Sequence, residues 1–318
     1  MVGSWLVVLL IVAALGAGVV SALSVTTFGA SAFVRVYLEA IGRGDAAGAL
    51  ALPGVTVAEG ARTDFLAEDA LGGIAGLREV SVEPDDAGVT LVSYAWASPR
   101  GHGVSTFAVE RAGATLGVFP RWRFAVSPVA TLRLTVEHDD RFRVAGVPAR
   151  TGTADPVDYA LLVPGVYRVD HRSHYLRADP VDVAAERPGS ELGATLDVQP
   201  ALVFTIAVTA EVGASLDACT TQEVLFPTGC PLGHAIADRV VSPPRWSIAE
   251  YPEVHLEPGG QPGRWRVPAA AFTAHLRVDV QSLFDGSVTT FDRDLAASAA
   301  YLVTILADDA TLRIELLG

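Results

Sequence analysis

Residues 89–96 read VTLVSYAW, in which Thr90, Val92, Tyr94 and Trp96 alternate with Val89, Leu91, Ser93 and Ala95. A period of two marks a strand, because successive side chains on an extended backbone point to opposite faces. Phe107 and Val109 resume the rhythm after a turn expected at Gly101–Gly103. Trp122, Phe124 and Val126 continue it with Arg121 and Arg123 outward, bounded by Pro120 and Pro128.

On the amino-terminal side the period changes. Phe33, Tyr37 and Ile41 recur every four residues with Val34 and Leu38 beside them, which predicts a helix that ends at Gly42 or Gly44. Asp45 is placed to cap a second short helix over Ala46–Leu52, and Pro53 terminates it.

On the carboxy-terminal side short strands dominate. They are expected at Leu132/Leu134/Val136, Phe142/Val144, Tyr159–Val163, Val166–Val169, Val181/Val183 and Leu196/Val198, with turn signals at sandwich-like spacing. Ala201–Val208 reads as an apolar strand-like run and Thr209–Cys219 as a short helix. Further strands follow at Trp246/Ile248, Val254/Leu256, Trp265/Val267, Leu276/Val278/Val280, Tyr301–Leu306 and Leu312–Leu316.

The expected fold class is therefore mainly β with an α+β module, in a chain of 318 residues, long enough for two or three domains. Residues 1–28 form a transmembrane anchor or signal segment and residues 29–127 an α+β domain. Residues 128–200 form a small β-sandwich-like module, and residues 201–318 a β-rich module with a disulfide.

Composition removes several function classes. All 23 basic residues are Arg, with no Lys and no Asn, the mark of a GC-rich coding sequence. A Schiff-base lysine, a phosphate-loop lysine and an Asn-linked glycan are thereby excluded. The net charge of −13 repels a phosphate backbone, and no Arg cluster is dense enough to override it, since Arg121 with Arg123 and Arg141 with Arg143 are alternating pairs on expected strands. Nucleic acid is not an expected partner.

Trp5–Leu23 (WLVVLLIVAALGAGVVSAL) is 19 residues without a charge. As a helix it reaches about 28 Å, close to the roughly 30 Å of a hydrocarbon core, so membrane lipid is an expected partner. A cleavable signal peptide is the competing reading, with Ser21-Ala22 or Ser31-Ala32 as its end, but Met1–Ser4 lack the Arg such a leader carries. Positive charge does not distinguish the sides, since the α-amino group stands on one and Arg35 with Arg43 on the other.

The two cysteines, Cys219 and Cys230, bracket ten residues rich in turn formers. A bridge there would stabilise the fold by up to about 3 kcal/mol and implies an oxidising compartment. Zinc would want four ligands where only His234 lies near, and a redox site would want C-x-x-C. The expectation is a single-pass membrane protein with an extracytoplasmic carboxy-terminal region.

The run FVRVYLEAIGRGDAAGALAL (33–52), then FLAEDAL (65–71) and strands ending in WRFA (122–125), resembles the cone-shaped nuclear-transport-factor-like fold of exported bacterial domains. Tyr37, Leu38, Ala40, Ile41, Gly44, Asp45 and Ala46 carry the match. The resemblance implies a helix lying across a curved antiparallel sheet over roughly residues 30–127. LDACTTQEVLFPTGCPLG (216–233) followed by WSIAEYP (246–252) is similar to uncharacterised membrane-anchored actinobacterial proteins. The layout resembles that of teicoplanin-resistance-associated envelope proteins, without their amino-terminal zinc ribbon and basic flank.

Candidate chemistry is sparse. His171 and His174 have the best metal-like spacing, with Asp170 and Asp179 nearby, but on a strand they project to opposite faces. His138-Asp139-Asp140 reads as a hairpin turn. No G-x-S-x-G, H-E-x-x-H, phosphate loop or S-x-x-K occurs. No cofactor and no metal is expected.

The reading is a non-enzymatic envelope protein that binds another envelope protein, a wall polymer or a small ligand. The alternative is small-ligand binding, or isomerase-like or hydrolase-like chemistry, in a cone pocket lined by Tyr37, Tyr94 and Trp96. Asp45 and His102 are the other polar groups available there.

Overall fold

The computed structural model describes residues 29–66, 68–71, 73–86, 88–115 and 119–317. The expected membrane segment Trp5–Leu23 lies outside the described residues. The protein is mainly β. Its contacts divide it into two compact units. The first holds the described residues up to Thr135, Arg141–Asp170 and Pro180–Leu196. The second holds Val136–Asp140, His171–Asp179 and the described residues from Asp197 onward.

Helix α1 (Ala30–Gly42) and the short α2 (Ala46–Leu50) open the first unit. α1 forms where expected, because Val34, Tyr37, Leu38 and Ile41 fall on one face and are all buried. Gly44, at φ +78°, lets the chain reverse between the helices. Asp45 then accepts the Gly48 N–H at 2.7 Å, the cap its position predicts.

Strands β1 (Ala75–Pro84), β2 (Val89–Ser98), β3 (Gly101–Thr115) and β4 (Phe119–Phe124) form an antiparallel sheet in that order. Val92, Tyr94, Trp96, Phe107, Val109 and Phe124 are its buried apolar residues. The turn between β2 and β3 lies earlier than the sequence reading put it. Ser98 pairs with Gly101, so Pro99 and Arg100 make the reversal and Gly101–Gly103 belong to the strand. Gly103 is needed for space rather than for turning, since a Cβ there would meet Trp96 Cζ2 at 3.1 Å. Pro120 sits inside β4, which is tolerable on an edge strand.

The short strands expected next are present: β5 (Val129–Glu137), β6 (Arg141–Val144), β7 (Val147–Arg150), β8 (Val157–Leu162), β9 (Gly165–Arg172), β10 (Leu176–Ala185), β11 (Glu191–Asp197) and β12 (Gln199–Pro200). They form sheets of order β11-β5-β8 and β12-β10-β9-β6-β7. His138–Asp140 is therefore not a hairpin turn, because β5 and β6 belong to different sheets. β6 instead turns into β7 through Ala145 and Gly146, at φ 49° and 94°. Two positive φ angles suit a tight hairpin, and that local pairing takes the edge β5 would have used. Phe65, Phe142 and Tyr159 fill the first unit's second apolar cluster, with ring centroids 5.1–6.0 Å apart.

The second unit carries helix α3 (Leu202–Thr220) and strands β13 (Arg239–Val240), β14 (Arg245–Glu250), β15 (Glu257–Pro258), β16 (Arg264–Gln281), β17 (Val288–Ile305) and β18 (Leu312–Leu317). The sheet order is β13-β16-β17-β18, with β14 and β15 also paired to β16. Here the sequence reading needs correction, since Ala201–Val208 is not a strand followed by a short helix. One helix runs through, burying Phe204, Val208, Val212, Leu216 and Cys219 at spacings of four and three. The period was masked because Leu202, Val203 and Ile206 are apolar yet exposed, and β-branched residues crowd the first turns. Among the described residues α3 is also the one helix long and apolar enough to cross a membrane, by length and composition alone. One stripe of it, from Phe204 to Cys219, is buried in this unit.

The helix assignment has a sharp test. A strand would put residues 204, 206 and 208 on one face, whereas the helix buries 204 and 208 and exposes 206. Phe204→Ala should cost about 3–5 kcal/mol and Ile206→Ser no more than about 0.5 kcal/mol, read as shifts of the urea unfolding midpoint.

Candidate functional site

Tyr37, Tyr94 and Trp96, the expected pocket residues, are all buried in the first unit. Tyr37 lies edge-on to Phe107 and Phe124, at 6.0 and 5.1 Å between centroids, and its hydroxyl donates to the Pro128 carbonyl at 2.8 Å. Burial pushes the Tyr37 phenol well above its ordinary pKa, which leaves it a neutral donor. The Tyr94 hydroxyl is 2.8 Å from Ser31 Oγ. Trp96 Nε1 donates to Ser105 Oγ at 3.0 Å, and that hydroxyl donates to the Glu186 carbonyl at 2.6 Å. Each polar atom of the three thus has a partner, as buried polar groups require. His102 is an exposed residue of β3 opposite Ala97, and Asp45 is occupied as a cap.

The expected disulfide is present. Cys219, in the last turn of α3, is joined to Cys230, with Cα atoms 5.8 Å apart. The loop it closes is held by its own polar groups. Gln222 accepts the Thr228 N–H at 2.9 Å and donates to the Thr228 carbonyl at 3.1 Å. Trp246 Nε1 donates to the Val224 carbonyl at 2.8 Å, fastening the loop to β14.

The histidines fall differently from their sequence spacing. His171 is buried, with Nε2 4.0 Å from Asp139 Oδ2, whereas His174 stacks edge-on to Tyr175 at 4.5 Å. The group whose ligand atoms converge is Glu137, His138 and Asp197, all within 4.8 Å of one another. His138 Nδ1 stands 3.1 Å from Asp197 Oδ1 and 3.2 Å from the Val198 carbonyl. Gln199 Nε2 donates to Asp197 Oδ1 at 2.6 Å. Sequence reasoning missed the group because His138 and Asp197 are far apart in sequence and meet through long-range pairing, β11 against β5 and the Val198 N–H on the Glu137 carbonyl. His275 also has two carboxylates, Asp292 at Nε2 (3.0 Å) and Asp294 at Nδ1 (2.8 Å). Those lie on opposite ring nitrogens, and Arg277 pairs with Asp292 at 3.5 Å.

At the end of the β16–β17 hairpin Leu283 and Phe284 are 74% and 99% exposed. Their turn is nevertheless tightly tied. Ser282 Oγ accepts the N–H groups of Phe284 and Asp285, Asp238 accepts that of Leu283, and Asp285 accepts both the N–H and the hydroxyl of Ser287. These bonds hold the Asp285 carboxyl below its ordinary pKa, the Ser287 hydroxyl foremost. The result is an acidic turn that presents two apolar side chains outward.

No protein-family model, curated protein or solved structure matches this chain.

Proposed function

We propose that this protein is a single-pass, membrane-anchored protein of the cell envelope whose region beyond residue 28 lies outside the cytoplasm and serves a non-enzymatic binding or scaffolding role. The observation that carries this reading is the Cys219–Cys230 bridge, a pairing that persists in oxidising compartments and is rare in reducing ones. The uncharged run Trp5–Leu23 supplies the anchor in this reading. Binding rather than catalysis is supported by the saturated hydrogen bonding of Tyr37, Tyr94 and Trp96. An envelope protein or wall polymer remains the proposed partner, and the rigid turn bearing Leu283 and Phe284 is the surface best formed to meet a protein.

The cone-like identity of residues 29–127 belongs to the same proposal. Its support is α1 meeting a four-stranded antiparallel sheet through Tyr37, Phe107 and Phe124. The modules at 128–200 and 201–318 are proposed with it.

Two measurements test the location. A carboxy-terminally tagged copy in cells stripped of wall should be digested by added protease without lysis; protection until lysis would place the modules inside. Thiol labelling of unreduced, denatured protein taken from cells should find no free thiol, and labelling of both cysteines would remove the argument from the bridge.

A further inference from the structure

We infer that Glu137, His138 and Asp197 form a surface site for one divalent transition-metal ion, with zinc the ion its donors fit best. An imidazole with two carboxylates is a donor set zinc uses, and ligands around a tetrahedral zinc stand about 3.3 Å apart. The three donor atoms already lie within 4.8 Å of one another, so small side-chain rotations close the site. The Val198 carbonyl, beside His138 Nδ1 at 3.2 Å, offers a further oxygen. Gln199, donating to Asp197 Oδ1, is the kind of outer hydrogen bond that orients a ligating carboxylate.

Charge points the same way, independently of the geometry. In this chain acids commonly meet an Arg: Asp158 meets Arg133, Asp170 meets Arg143, Asp182 meets Arg168 and Asp292 meets Arg277. Among the described residues no guanidinium pairs with Glu137 or Asp197, although the two carboxylates are held close together. A divalent cation is the group that would relieve their repulsion. The His275 group lacks this arrangement, since its carboxylates sit on opposite ring nitrogens and Arg277 already meets one of them. Nor do thiols compete, because both cysteines are in the disulfide.

A bound ion would reinforce the contact between Glu137–His138 and Asp197, segments distant in sequence that strand pairing already brings together. The site is exposed at both carboxylates, which makes it reachable from solution and open to an additional ligand on the metal.

The test is titration of the purified, oxidised full chain with zinc chloride by calorimetry, and with cobalt chloride by visible absorption. One equivalent of zinc should bind saturably and the cobalt form should show ligand-field bands. His138→Ala and Asp197→Asn should each weaken binding about tenfold or more, while His275→Ala leaves it unchanged. Circular dichroism would check that each variant is folded, and the near-isosteric Asp197→Asn keeps the test decisive should His138→Ala disturb its segment. Absence of saturable binding to the wild-type chain overturns the site, as does binding that survives either of the first two substitutions or is lost with His275→Ala.

Discussion

The second unit depends on the hydrogen-bond ladder between β16 and β17. It runs from Arg264↔Thr304 to Gln281↔Val288, interrupted only between Val267 and Ala270. β13, β14 and β15 all pair onto β16, and β18 onto β17, so no strand of this sheet is placed without the ladder. The ladder also positions the surroundings of His138 and the exposed hairpin turn. Trp265, near the start of β16, is fully buried, stands 6.0 Å from Phe204 of α3 and lies 6.1 Å from the His138 ring. The far end of the hairpin holds Leu283 and Phe284. One long antiparallel pair thus fixes the floor on which α3 packs, the neighbour of the His138 imidazole, and the outward turn.

In the first unit satisfied polar atoms inside an apolar face take the corresponding part. Trp96, Ser105 and the Glu186 carbonyl form a chain of two hydrogen bonds, at 3.0 and 2.6 Å, that links β2, β3 and a distant segment. Ser105 is a buried polar residue that donates and accepts at once, so Ser105→Ala would strand the Trp96 N–H and the Glu186 carbonyl together. The Tyr37 phenol does similar work against Pro128. Groups committed in this way stiffen a core.

How far the sequence discloses this architecture follows from side-chain chemistry. α1 and its Asp45-capped neighbour are legible because polar and apolar positions separate cleanly, as they do in Val89–Trp96. The cysteine pair is legible from spacing alone. Legibility fails where both faces share one character. α3 carries exposed Leu202, Val203 and Ile206 opposite its buried stripe, so its helical period cannot be seen. The sequence shows β16 as two fragments and β17 only as its end, Tyr301 onward, because their middles are rich in alanine, at 269–271 and 296–297, and alanine carries little strand preference. Long-range pairing imposes the extended form there. The Glu137, His138 and Asp197 group is illegible for a related reason, since a pairing between residues 137 and 198 leaves no mark in local pattern.

The hairpin turn separates two explanations for exposed apolar side chains. Loose loops expose them because nothing holds the backbone, and such exposure carries no information. Residues 282–287 instead have their backbone donors satisfied, most of them within the turn: Ser282 N–H meets the Ser287 carbonyl at 2.9 Å, and Gly286 N–H meets the Ser282 carbonyl at 3.0 Å. Gly286, at φ 77°, supplies the left-handed residue that closes the turn. With the backbone already ordered, docking Leu283 and Phe284 would cost little further chain entropy, and each side chain could gain about 1.5–3 kcal/mol by burial. The charged Asp285 and Asp238 at the same turn oppose an anionic lipid surface and complement a basic rim. Order, exposure and charge therefore coincide in this one turn, which sets it apart from a loose loop that exposes apolar side chains for want of any hold on its backbone.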